Sequence, residues 1–216
     1  MTSRFISVLS FISFATIASL SQTGVAVQGG DDAWTILLRG KGAISTSTTR
    51  HDLVTRYGDA NVTDQEIDVG EGETEPGTVL FPRVSKRTIS ILWNDPETKT
   101  SPKSAIVRGE SSLWRTAQGI SIGTSLKQRE RINGRPFTLL GFGWDYQGTV
   151  RSWEKGTLEQ EFEGDGRVIM RLAPSAVGKD LEEVSGDRPF PSANPIMRRV
   201  DPAIYEIIFD FPKSRN

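Results

Sequence analysis

The 216-residue chain contains no cysteine and a single histidine, His51. Without thiols there can be no disulfide, no thiolate metal site, no cysteine nucleophile and no lipid-modified cysteine anchor. One imidazole excludes any centre that draws two histidines from the same chain. An excess of either charge is also missing: 26 Lys and Arg face 27 Asp and Glu, a net charge of −1. Nucleic-acid binding usually needs a clustered basic surface, and this balance supplies no such footprint. What remains, 36% hydrophobic and 25% charged residues, is the composition of a globular protein rather than a disordered one.

The amino terminus reads as an address. Arg4 precedes an uncharged apolar run, Phe5 to Leu20, and small residues follow, with Ser19/Ser21 or Gly24/Ala26 placed for cleavage. A spanning helix wants about 20 strongly apolar residues, whereas this run is shorter and diluted with Ser and Thr. Residues 1–28 are therefore expected to be a cleaved signal peptide. The mature protein is expected to be exported, periplasmic or extracellular, with no transmembrane span after cleavage.

Along the mature chain, Trp34–Leu38 is expected as a first strand and Thr48–Tyr57 as a helix, with Thr48 or Thr49 as cap and Gly58 as stop. Leu53, Val54 and Tyr57 form its apolar stripe. Asp64–Gly77, acidic and rich in glycine, predicts a loop. Thr78–Phe81, Arg87–Trp93 and Ser104–Arg108 predict strands, with a turn at Asn94-Asp95-Pro96. The order then recurs: Thr124–Ile132 reads as a helix capped by Thr124, followed by strands at Pro136–Tyr146, Thr149–Trp153, Leu158–Phe162 and Arg167–Leu172. Pro174–Pro202 reads as a long excursion. Ala203–Phe211 closes the chain as a strand with Tyr205, Ile207, Phe209 and Phe211 on one face.

The two halves align on Ile44 and Ile120. Thr48 then matches Thr124, Thr49 matches Ser125, and Gly58 and Gly134 each stand 14 residues past the isoleucine. This predicts an α+β fold of antiparallel sheet or sheets with one helix packed per pseudo-repeat. The first repeat covers residues 33–110, and the second covers 111–216 with the C-terminal strand.

Gly119-Ile-Ser-Ile-Gly-Thr-Ser125 resembles the segment that opens the helix in the tandem repeats of the beta-lactamase inhibitory protein and of the small outer-membrane assembly lipoproteins. Its counterpart, Gly42–Thr49, has an extra residue and lacks the inner glycine. Tyr57–Val62, Pro76–Phe81, Ile132–Phe137 and Gly141–Tyr146 resemble a group of exported bacterial proteins that brings no chemistry with it. The inhibitor likeness implies binding through the concave face of a sheet with aromatic and loop residues. It transfers no catalytic residue.

Chemistry-bearing patterns are sparse. His51 adjoins Asp52 on a helix, where neighbours i and i+1 diverge and cannot orient one another as a catalytic triad requires. Asp145, Glu154, Glu159 and Glu161 are the carboxylates a glycosidase could use, but no spacing singles out a pair. The acidic stretch lacks the order of a calcium loop. Gly141-Phe-Gly143 lacks a phosphate-cradle ending, and its glycines suit an aromatic ring lying over the backbone. No catalytic residue, metal ligand or cofactor is therefore assigned.

Aromatic residues around Gln147-Gly148 stand out. Phe142, Trp144 and Tyr146 alternate on one face, as a buried set would. Trp144, Asp145, Tyr146, Arg151 and Trp153 together could instead form a binding surface of rings and charges. The resulting expectation is an exported non-catalytic protein that binds another protein or an envelope component. The alternative is a carboxylate-dependent hydrolase acting on glycans.

Overall fold

The computed structural model describes Trp34, residues 43–144, Tyr146 and residues 148–162, 166–175 and 178–212. The expected signal peptide, nearly all of the expected first strand, and Asp145 lie outside these residues. The fold is α+β. A six-stranded antiparallel sheet is assembled from β1 (Val62–Gly70), β2 (Glu73–Leu80), β3 (Ile89–Trp93), β4 (Pro102–Arg108), β9 (Ala203–Asp210) and β7 (Arg167–Ala173), in that spatial order. A second sheet has three short strands in the order β6 (Val150–Ser152), β5 (Thr138–Leu140) and β8 (Pro189–Pro191). Two strands from the later half of the chain thus complete the sheet begun by residues 62–108.

Helix α1 (Arg50–Tyr57) starts where Thr49 accepts a hydrogen bond from the Asp52 amide, and the Asp52 carboxylate accepts from the Thr49 amide in return. Helix α2 (Leu126–Asn133) is opened by the same reciprocal pair between Ser125 and Gln128, so Ser125 rather than Thr124 is its cap. The preceding turns also correspond. Thr48 Oγ1 accepts from the Ser45 amide at 2.9 Å, and Thr124 Oγ1 from the Ser121 amide at 3.1 Å. Ile44 and Ile120 are both fully buried beneath these turns.

Asp64–Gly77 is not a loop. It forms most of the β1–β2 hairpin, turning at Glu71 with φ 55°. Five of its six acidic residues are exposed, while Val62 and Ile67 are the buried residues of β1. Asp64 ties the hairpin to α1 through Arg50 at 2.9 Å and accepts a 2.7 Å hydrogen bond from Thr78. Burial pushes this carboxyl up, but hydrogen bonds from Thr78 and Arg50 and the charges of Arg50 and Lys99 outweigh it, and the net shift is downward. A depressed carboxylate stabilises the fold above its unfolded pKa, about 4, and loses that contribution as pH falls through the folded value.

Leu158–Phe162 is likewise not a strand but belongs to a short helix, α3 (Thr157–Phe162). Leu, Glu and Gln are good helix formers. The Leu158 amide that opens the helix donates to Asn133 Oδ1 at the end of α2. The excursion after residue 174 carries α4 (Lys179–Glu183), β8 and α5 (Pro195–Val200). Strand β9 has a bulge: Glu206 pairs with Arg171 and Ile204 with Leu172, so Tyr205 is skipped and turns outward instead of joining Ile207, Phe209 and Phe211.

One face of the large sheet packs into the main core. Ile89, Ile91, Val107, Ile207 and Phe209 meet Leu53 and Tyr57 of α1, Leu126 of α2, Leu158 of α3 and Met197 of α5. A smaller apolar cluster, Ile67, Val79, Leu92 and Ile106, covers part of the opposite face. On that face Arg108 of β4 reaches the Asp68 carbonyl of β1 at 3.0 Å. A side chain can bridge strands that lie three places apart only if the sheet curls strongly.

The candidate binding groove between the two sheets

Strand β7 ends the large sheet and β6 ends the small one, and the two strands lie close together. Gly148 brings them together. A Cβ there would lie 2.4 Å from the Leu172 carbonyl oxygen, so only glycine lets the connection into β6 rest on the backbone of β7. From that contact a groove of about 600 Å3 opens, lined by Tyr146, Arg151, Trp153, Glu159, Arg167 and Arg171 among others.

Each lining cation has a different status. Arg171 pairs at 3.1 Å with Glu206, a carboxylate only 3% exposed that also binds Arg108. Its Nε is buried and has no hydrogen-bond partner, as is Thr149 Oγ1 beside it in the groove. Arg167 pairs with Asp210 at 3.2 Å yet keeps 71% of its side chain exposed. Arg151 is exposed and makes no hydrogen bond or ion pair among the described residues. Against these three cations the groove sets one carboxylate, Glu159. With Arg171 and Arg167 already paired to Glu206 and Asp210, Arg151 and Tyr146, which is 59% exposed, are the groups left to meet a ligand.

The five residues expected as a binding surface divide. Tyr146, Arg151 and Trp153 come together in the groove. Trp153 contributes as a wall rather than an exposed ring: it is 8% exposed and packs on Phe137 with ring centroids 5.0 Å apart. Trp144 is 61% exposed but does not line the groove. The alternation of Phe142, Trp144 and Tyr146 does not hold because β5 ends at Leu140; Phe142 is buried and the other two are not. Arg167 and Arg171 join Tyr146, Arg151 and Trp153 from β7, beyond the five residues expected. Their even spacing on a strand puts them on one face, which is the signal that could have found them.

Catalytic alternatives find little support in the geometry. Glu154 Oε1 accepts from Thr138 Oγ1 at 2.7 Å, and Glu159 accepts from the Lys155 amide, so both acids brace the turn after β6. That turn places Glu154 and Lys155 at positive φ, 55° and 59°, a conformation costly for residues other than glycine and needing such support. His51 is exposed, and its neighbour Asp52 is committed to the cap of α1. Gly141 approaches two carbonyl oxygens, of Gly186 and Val184, and the Phe190 ring, as expected of a glycine beneath an aromatic. Among the described residues no three His, Asp or Glu side chains form a metal-binding group. Nor, among them, is any helix long and apolar enough to cross a membrane.

No known family, curated protein or solved structure matches the chain.

Proposed function

We propose that this is an exported, non-catalytic binding protein that holds a protein or envelope component in the β6–β7 groove. The observation that carries the proposal is the meeting of the two end strands around three arginines and an exposed tyrosine, with the nearby carboxylates engaged in holding a turn. An export signal at residues 1–28 would place such a protein where envelope components are its available ligands. The matching turns before α1 and α2 support descent from a duplicated helix-opening unit, in which the first copy is followed by a four-strand meander and the second by the groove.

A photoreactive amino acid placed at residue 146 tests the reading in the producing cells. A discrete adduct is expected from that position and none from position 84, where Val84 is exposed at 42% outside the groove. Equal labelling from both positions would remove the groove from the proposal.

A further inference from the structure

Away from the groove, a hollow of about 530 Å3 opens beside α2, lined by Lys127, Glu130, Arg131, Arg135, Pro136 and Arg198. Four cations gather there around one carboxylate, in a chain whose overall charge is −1. The carboxylate is already spent. Glu130 accepts from Ser192 Oγ at 2.6 Å and from Arg198 at 2.8 Å, and its side chain is 13% exposed. Its role is to fix Arg198 in place.

The other cations are mostly held as well. Arg135 donates one N–H to the Glu154 carbonyl at 3.0 Å, and Lys127 lies 3.6 Å from Asp201. The Arg131 side chain makes no hydrogen bond or ion pair among the described residues, its carbonyl accepting only the Gly134 amide at the helix end. A guanidinium carries five N–H donors, so Arg135 and Arg198 keep most of theirs unspent. A basic residue in the last turn of α2 offsets the helix dipole, which accounts for Arg131 but not for the three cations around it. Holding like charges together costs free energy unless an anion joins them. Anchored side chains also lose little entropy when one does. A single carboxylate would leave most of these donors unused, whereas a doubly charged tetrahedral oxyanion meets several at once.

We infer that this hollow binds a phosphate group, carried either by a soluble phosphate ester or by a lipid headgroup. It is separate from the groove and does not depend on the function proposed for it. Titration of the full-length protein with inorganic phosphate, followed by NMR, should show saturable binding with a Kd on the order of 1 mM that weakens as salt is added. Arg131→Gln together with Arg135→Gln should raise that Kd at least tenfold. Arg131→Glu alone, at an exposed position whose side chain has no described partner, should abolish binding without affecting the fold. Tyr146→Ala should change nothing. Co-sedimentation with phosphatidic acid vesicles, whose headgroup is a phosphomonoester, displaced by phosphate and absent with phosphatidylcholine, would assign the headgroup; phosphate binding without co-sedimentation would assign a soluble ester. Failure of phosphate to saturate, or an unchanged Kd in Arg131→Glu, would overturn the inference.

Discussion

Replacing Asn133 with alanine is expected to lower stability by about 3 kcal/mol, roughly 6–12 °C in melting temperature for a chain of this size. Asn133 is completely buried at the end of α2. Its Nδ2 donates to the carbonyls of Arg135 and Trp153 at 3.0 and 2.9 Å, and its Oδ1 accepts from the Leu158 amide at 3.2 Å. One side chain thus joins the end of α2, the turn after β6 and the start of α3. Removing it leaves buried backbone groups unpaired, which costs more than the bonds themselves contribute. Gly156 provides an internal check. A Cβ at that position would stand 2.1 Å from Asn133 Oδ1, so Gly156→Ala alone should be comparably damaging. The two changes combined should be little worse than Asn133→Ala, because the clash disappears with the amide. A coupling of about 3 kcal/mol in a double-mutant cycle by denaturant unfolding is expected. Additive losses would show that Asn133 does not organise this junction.

The second large effect concerns Glu206. This carboxylate is nearly inaccessible and is bracketed across three adjacent strands by Arg108 of β4 and Arg171 of β7. Deleting one partner of a buried ion pair costs more than the pair contributes, because the remaining charge is stranded. The side chains of Arg108 and Arg171 are 38% and 26% exposed, so water can recover them in Glu206→Ala, and about 2–3 kcal/mol is expected. Arg108→Met with Arg171→Met leaves Glu206 buried without a cation and should cost more, about 3–5 kcal/mol. Adding Glu206→Leu to that pair should restore stability to near the parent value, since an apolar set can replace a buried ionic one. If the triple variant were the least stable of the three, the cluster would be a net stabiliser of the sheet rather than a device that positions Arg171.

Much of the fold was legible in the sequence where a local rule coincided with burial. Hydroxyl caps and glycine stops located α1 and α2, period-2 alternation located β3 and β9, and short apolar runs located β4 and β7. The β1–β2 hairpin was not legible. Nine of the 14 residues from Asp64 to Gly77 are exposed, so their composition is that of a solvated loop. Helix α3 spans only six residues, too few for a helical period, and its start is held by Asn133 from 25 residues away. Tyr205 left its expected face because of a bulge set by the pairing of β9 with β7, which no local pattern records. The groove shows the same division. Aromatic composition drew attention to Tyr146 and Trp153, whereas Arg167 and Arg171 reach them only because β7 and β6 come to lie close together.

The most direct measurement is retention of components from the producing cell's own solubilised envelope by the immobilised mature protein, compared with protein carrying Arg151→Glu and Tyr146→Ala. The expected result is at least one component held by the parent, released by moderate salt, and reduced at least tenfold on a variant whose melting temperature is unchanged. An identical retained set on parent and variant would contradict a binding role for the groove. So would turnover of an envelope glycan by the parent that is lost in Glu154→Gln or Glu159→Gln.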